Sequence, residues 1–159
     1  MGYKKVNHRS FLTLTTGLML IGLSCFSFQV WAENTVQLVC DITHLRTGNT
    51  HSIVYTIDYD TSKVVEDFGD GTLQRYTPKG VISDNDFIYH SKITNDLIIL
   101  ASKIQNHDYD IDRKTISRIT GEYRSGKSEE WQDMQERAGH KRTGVTSTGQ
   151  CHKSEGAKF

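Results

Sequence analysis

The stretch VQLVCDITH, residues 36–44, decides the fold because its apolar side chains recur at every second position. Successive side chains of an extended strand point to opposite sides, so one face carries Val36, Leu38, Cys40 and Ile42. The stretch HSIVYTIDY, residues 51–59, repeats the pattern, and turn-forming residues lie between the two at 46–50. The two stretches therefore predict a β-hairpin in which Cys40 points inward.

Composition beyond the first 32 residues also favours β structure. Residues 33–159 contain 33 Val, Ile and Thr but only 8 Ala and Leu, and β-branched residues suit strands better than helix interiors. The pattern predicts further strands at 63–66, 72–76, 86–93, 96–104, 108–112, 116–124 and 146–153. Their connections are too short for parallel crossovers. We therefore predict an all-β fold, a single antiparallel meander that closes into a small barrel or a tight sandwich.

Two features modify this pattern of strands. The apolar run 97–101 predicts a central strand that is buried on both sides. Arg113 and Lys114 are predicted to form a bend or bulge, because the apolar face changes between Ile111 and Ile116.

The segment 125–145 is charged and contains several glycines, which predicts irregular structure. One short helix is predicted near 129–138, where Ser128 suits the N-cap and Gly139 suits the end. The face of this helix that would pack inward carries Trp131, Met134 and Ala138. A hairpin extension is the alternative structure for the same segment.

Residues 1–32 have the pattern of a secretory signal peptide. Lys4, Lys5 and Arg9 precede an uncharged apolar stretch from 11 to 28, and Ala32 suits the cleavage position before Glu33. The alternatives are an uncleaved membrane anchor, since the stretch approaches the length that spans a bilayer, and lipoprotein processing at Cys25. Cleavage predicts a single domain at 33–159 with no membrane span, in a periplasmic or secreted protein.

Cleavage would leave two cysteines, Cys40 and Cys151, near opposite ends of the remaining chain. An even number of cysteines in an exported chain predicts a disulfide. Catalytic dithiols typically lie two residues apart, so we predict that this pair is structural. The pairing requires the first and last strands to be neighbours.

Charge gives no reason to predict binding to nucleic acid. The chain has 19 Lys and Arg and 19 Asp and Glu, and removal of residues 1–32 takes three basic residues, which leaves 16 minus 19, or −3. A mildly acidic protein has no electrostatic attraction to DNA, RNA or anionic lipid.

The remaining motifs identify no catalytic, cofactor-binding or metal-binding residues. Asp108, Asp110 and Asp112 resemble the start of a calcium loop, but Arg113 and Ile119 replace its essential glycine and glutamate. Six histidines lack zinc spacing, although His44 and His51 flank one predicted turn. An Asp/Glu pair that acts on a glycosidic bond requires proximity in space, which sequence order does not test.

The order of features is similar to that of small exported bacterial β-proteins of uncharacterised function. The matching motifs are Tyr55–Asp60 before Lys63-Val64, Ile111–Thr115, Thr120-Gly121 and Gly149–Cys151. The layout of leader, early cysteine and late cysteine also resembles that of periplasmic C-type lysozyme inhibitors. These resemblances imply an envelope location and an antiparallel β domain, and bring no catalytic residues.

These observations predict a non-enzymatic, exported binding or inhibitor-like module whose partner is a protein or an envelope ligand. We expect a monomer or dimer, with the charged segment 125–145 as the contact surface. The alternatives are a small hydrolase of envelope polymers that uses an Asp/Glu pair, and a structural component of the envelope.

Overall fold

A computed structural model describes residues 34–83 and 85–154. The predicted leader and its cleavage point before Glu33 lie outside these residues. The described chain forms ten strands and one helix, which are β1 (Thr35–His44), β2 (Thr50–Asp58), β3 (Lys63–Asp67), β4 (Leu73–Tyr76), β5 (Val81–Ile82), β6 (Phe87–Ile93), β7 (Leu97–Ile104), β8 (Asp112–Ser117), β9 (Glu122–Lys127), α1 (Glu129–Arg137) and β10 (Val145–Lys153).

All ten strands belong to one antiparallel sheet that forms a nearly closed barrel. Consecutive strands pair with each other except β4 and β5, which are the two edges of the sheet, and β10 pairs with β1. The two edges of the sheet meet where Thr77, directly after β4, bridges His90 of β6. Near this seam the Ser91 hydroxyl donates to the Ser62 carbonyl at 2.5 Å. The prediction of an all-β antiparallel meander is confirmed.

A disulfide joins the first and last strands. Cys40 and Cys151 are directly paired residues of β1 and β10, and their sulfurs are bonded. The bond links positions 111 residues apart in sequence. On a chain-entropy basis, a loop of this length stabilises the fold by about 4–5 kcal/mol. The predicted pairing is therefore present in the structure.

The interior of the barrel is filled by alternate residues of the strands, as the pattern of β1 and β2 predicts. The large apolar side chains that are almost fully buried are Ile42, Ile57, Val64, Ile98, Leu100 and Ile116. In β7, Ile98 and Leu100 point into this core while Ile99 between them is only half-buried. The prediction that the run 97–101 is buried on both sides is therefore only partly correct, because the outer face of a single-layer barrel has little to cover it.

The predicted bend at Arg113 and Lys114 is wrong. Both residues lie inside β8, and the chain turns later, at 118–121, where Gly121 has a φ of +73° that favours glycine. The prediction failed because the apolar Ile111 suggested the inward face of a strand. In the structure Ile111 is buried in the connection before β8. Its N–H donates to the Ser102 carbonyl at 2.7 Å, and its carbonyl accepts from the Ser128 N–H at 2.9 Å.

The predicted helix is present as α1, and Ser128 caps it by accepting from the Trp131 N–H. The predicted inward face is wrong, however. Gln132 is the buried residue of this helix, whereas Trp131 and Met134 are half-buried and Ala138 is exposed. The Gln132 amide donates to the Lys127 carbonyl and accepts from the Gly144 N–H. A polar side chain therefore fastens α1 to the ends of β9 and β10.

The antiparallel register places the connections 45–49, 68–72, 83–86, 105–111 and 128–144 at the same end of the barrel. We call this the helix end, because it carries α1. The charged segment 125–145 is thus the end of β9, the helix and the return to β10. It is more ordered than the sequence predicts.

Candidate functional site

Among the residues that the structure describes, Glu66 of β3 is the one fully buried acid. Strand alternation turns Val64 and Glu66 inward together, and the Glu66 side chain has no solvent exposure. A buried carboxylate is stable only when it is paired and hydrogen-bonded, because the loss of water costs several kcal/mol. The residues around Glu66 meet this requirement.

Three side chains hydrogen-bond to Glu66, and they come from both sides of the barrel. The Tyr55 hydroxyl donates to Oε1 at 2.8 Å, and the Tyr76 hydroxyl donates to Oε2 at 2.7 Å. Lys114 Nζ lies 2.6 Å from Oε1 and 2.7 Å from Oε2. We call Tyr55, Glu66, Tyr76 and Lys114 the polar cluster.

The sheet register explains how the polar cluster assembles. Tyr55 of β2 is the direct neighbour of Glu66, and Tyr76 of β4 is paired with Val64. Lys114 reaches Glu66 from β8, 48 residues later in sequence. The ion pair therefore crosses the barrel and joins walls that share no backbone hydrogen bonds.

Burial changes the ionisation of both tyrosines. Removal from water raises the pKa of Tyr55 well above its ordinary value, and the negative charge of Glu66 raises it further. The pKa of Tyr76 is raised by the same two causes in the same order. Both hydroxyls therefore stay protonated and donate to the carboxylate over the whole physiological range.

A cavity of about 310 Å³ lies beside the polar cluster. Its apolar walls are Phe68, Tyr76, Phe87, Tyr89 and Leu100. Its polar lining consists of Glu66, Gln74, Ser102, Asp112 and Lys114. Many of these residues stand at strand ends or in the connection 68–72, so the cavity opens at the helix end. Its volume is near the lower limit of small-molecule sites.

The rings around the cavity have defined mutual orientations. Tyr89 meets Tyr76 edge-on with ring centroids 5.7 Å apart, and it stacks with Phe87 at 6.3 Å. Lys114 Nζ lies 5.6 Å from the centroid of Phe68, within cation–π range. Phe68 is 39% exposed, so this aromatic ring stands at the opening rather than in the core.

The opening is bordered by a second ion pair that leads to α1. Lys127 Nζ is 2.6 Å from Asp112 Oδ1, and it lies 5.9 Å from the Trp131 ring centroid. Part of the predicted contact segment 125–145 therefore borders the cavity. The sequence interpretation identified this segment but not the cavity beside it.

The structure separates the aspartates of the calcium-like motif. Asp110 pairs with His90 at 2.6 Å, whereas Asp112 pairs with Lys127. His44 and His51 do come together, with stacked rings 5.4 Å apart. Within residues 34–83 and 85–154, no three His, Cys, Asp or Glu side chains are grouped so that they could hold a metal ion.

The hydrolase alternative requires two carboxylates that face one cleft. Glu66 and Asp112 both line the cavity. Each of them is engaged by a lysine, Glu66 by Lys114 and Asp112 by Lys127. Two carboxylates held in ion pairs are poorly suited to the acid and base roles of glycoside hydrolysis.

No family model, curated protein or solved structure matches this chain. Among the described residues, no helix is long and apolar enough to cross a membrane. The assignment of a function therefore depends on the geometry of the cavity and its lining.

Sequence reasoning missed Glu66 and Lys114. A signal for Glu66 was available, because an acid two residues after an inward valine lies on the same face of a strand. Lys114 had no such signal. If Ile111 and Lys114 belonged to one strand and Ile111 faced inward, Lys114 would face outward. Tyr55 and Tyr76 belong to a set of strand tyrosines for which the sequence suggests either packing at a core edge or a place in a ligand mouth, and neither possibility pointed to Glu66.

Proposed function

We propose that this protein is an exported, non-enzymatic binding protein that holds a small ligand in the cavity at the helix end. The observation that carries the proposal is a cavity of about 310 Å³ with aromatic walls, which the partly exposed side chain of Lys114 lines at the polar cluster. Lys114 is 25% exposed even though its partner Glu66 is fully buried. Apolar walls with a few fixed polar groups are typical of ligand sites.

The polar cluster is well suited to binding because it is pre-organised. In the described part of the chain, no buried side-chain nitrogen or oxygen lacks a hydrogen-bond partner. Lys114 is held by both oxygens of Glu66, so its position is fixed before a ligand arrives. Pre-organisation lowers the entropy cost of binding.

The proposed export has separate support. The first 32 residues have the charge and hydropathy pattern of a signal peptide, and a disulfide joins β1 to β10. Disulfides persist mainly in oxidising compartments. The full chain expressed in a bacterial host should appear in the periplasm or medium as residues 33–159. Non-reducing mass spectrometry should show that mass minus two hydrogens, and a retained leader or free thiols would contradict export.

Native mass spectrometry tests the binding role. Protein expressed from the full chain should retain a small molecule in its exported compartment. Gln74→Trp should lose it, because Gln74 is half-buried and lines the cavity, so an indole there would occupy the ligand space. Arg75→Trp is the matched control, since Arg75 is the next residue of β4 and is exposed. Equal retention by both variants would contradict the cavity as the site.

A further inference from the structure

The charged groups that line the cavity are all held in ion pairs. The two acids of the lining are Glu66 and Asp112, and each has a lysine within 2.6 Å. Lys114 belongs to the lining and Lys127 lies beside it, so each acid of the lining has an opposite charge next to it. A charged ligand would add an unbalanced charge to a site that excludes part of the surrounding water, which is unfavourable. The electrostatics select a neutral ligand.

The aromatic walls of the cavity favour a ligand that contains an aromatic ring. Phe68, Phe87 and Tyr89 present aromatic surface to the cavity, and aromatic groups prefer offset-stacked or edge-to-face contact with other aromatic rings. A volume of about 310 Å³ admits a compact molecule rather than a chain. A flat ring is the shape that contacts several of these walls together.

Lys114 of the polar cluster can donate one hydrogen bond to a ligand. An ammonium group has three N–H donors, and two bonds of Lys114 go to the oxygens of Glu66 at 2.6 and 2.7 Å. Its third contact is with the Tyr76 hydroxyl at 3.4 Å, which is long for a hydrogen bond. A ligand oxygen can replace this weak contact without disturbing Glu66.

We propose, on the basis of the binding role above, that the ligand is a small neutral aromatic compound whose carbonyl or hydroxyl oxygen accepts a hydrogen bond from Lys114. The ring lies against Phe68 and Tyr89 at the helix end. The site requires no metal and no covalent step. Anionic and cationic rings of the same size bind more weakly, because the charged groups of the lining are already paired with opposite charges.

A matched set of single-ring probes tests this ligand class. The probes are benzamide, benzoate, benzamidine and cyclohexanecarboxamide, and the observable is the shift of amide resonances of the cavity residues on titration. We expect benzamide to bind at least five-fold more tightly than each charged ring and than the saturated amide. Phe68→Ala should weaken benzamide several-fold. Ile119→Ala should not, because Ile119 is 76% exposed in the turn 118–121 at the opposite end.

The outcomes separate the two proposals. If benzoate or benzamidine binds the cavity as tightly as benzamide, the ligand class is wrong and the binding role stands. If no probe shifts the cavity resonances, the ligand class is again wrong, and the retention experiment with Gln74→Trp decides the binding role independently. If benzamide binds equally well to Gln74→Trp and to the unaltered protein, the probe does not occupy the cavity, the ligand class is wrong, and the retention experiment again decides the binding role.

Discussion

Two parts of the barrel interior are held together by different interactions. The apolar part contains Ile57, Ile98 and Ile116, which are fully or almost fully buried. Its stability depends on buried area, which is non-directional and tolerates exchange of similar side chains. The polar cluster depends on four hydrogen bonds to one carboxylate. Such a network stabilises the fold only while every member is present.

The difference indicates a division of roles between the two parts. The apolar part supplies the free energy that keeps the barrel folded. The polar cluster adds less net stability, because the cost of desolvating Glu66 and Lys114 offsets much of their attraction. What the polar cluster does provide is a fixed ammonium group beside an open cavity.

Removal of Lys114 should have the largest effect of any single substitution in the barrel interior. Lys114→Met leaves the Glu66 carboxylate buried without its cation, and breaking a buried ion pair costs about 3–5 kcal/mol. Urea unfolding monitored by circular dichroism measures the loss. The double variant Glu66→Leu with Lys114→Met should recover most of it, because neither charge then remains. A single variant as stable as the unaltered protein would show that the pair is not buried in solution.

Truncation in the apolar part should cost slightly less. Ile98→Ala removes a side chain with no exposure and leaves a cavity, which typically costs about 3 kcal/mol. No second substitution in the polar cluster should restore this loss, in contrast to the Lys114 variant. Ile98→Val is the conservative control and should cost about 1 kcal/mol. Loss of benzamide binding in Ile98→Val would contradict the separation of roles.

The two parts also differ in how well they could be predicted from the sequence. Alternation in VQLVCDITH and HSIVYTIDY was sufficient for the hairpin, the inward Cys40 and the antiparallel fold. The polar cluster depends on which face Lys114 occupies, and Ile111 obscured this because it is buried outside a strand. It also depends on closure of the barrel, which brings β8 opposite β3. Pairing across a closed interior leaves no periodic signal in one sequence.

Alkaline pH should affect the polar cluster and not the apolar part. Tyr55 and Tyr76 have raised pKa values in the folded protein, while the unfolded chain releases these protons near pH 10.0. Above that pH the folded state binds more protons, so the free energy of unfolding falls as pH rises. One such tyrosine contributes a slope of about 1.4 kcal/mol per pH unit.

Tyr55→Phe isolates this contribution. The variant should be less stable near neutral pH, because Glu66 loses a donor, and its stability should fall less steeply above pH 10.0. Urea unfolding at several pH values between about 9 and 11 measures the slope. Ile98→Val serves as the control, since it shifts the whole curve and leaves the slope alone. An unchanged slope in Tyr55→Phe would mean that the phenol is accessible to water in the folded protein.

The smallest effect should come from the border of the cavity, at the start of α1. Ser128 is 1% exposed, caps the helix through the Trp131 N–H, and donates to the Asp110 carbonyl. Loss of an N-cap costs about 1 kcal/mol. Ser128→Ala should therefore lower stability modestly while it loosens the helix that carries Trp131. Thr143→Ala, an exposed position in the same connection, is the control.

Hydrogen exchange distinguishes a local effect from a global one. In Ser128→Ala the amides of α1 should exchange faster, while those of β1 and β2 keep their protection, because the apolar part does not depend on the cap. Benzamide should bind more weakly to this variant, since Lys127 and Trp131 then border a less ordered opening. Uniform loss of protection across all strands would show instead that the helix end and the apolar part unfold as a single unit, and that the border makes no separate contribution to the cavity.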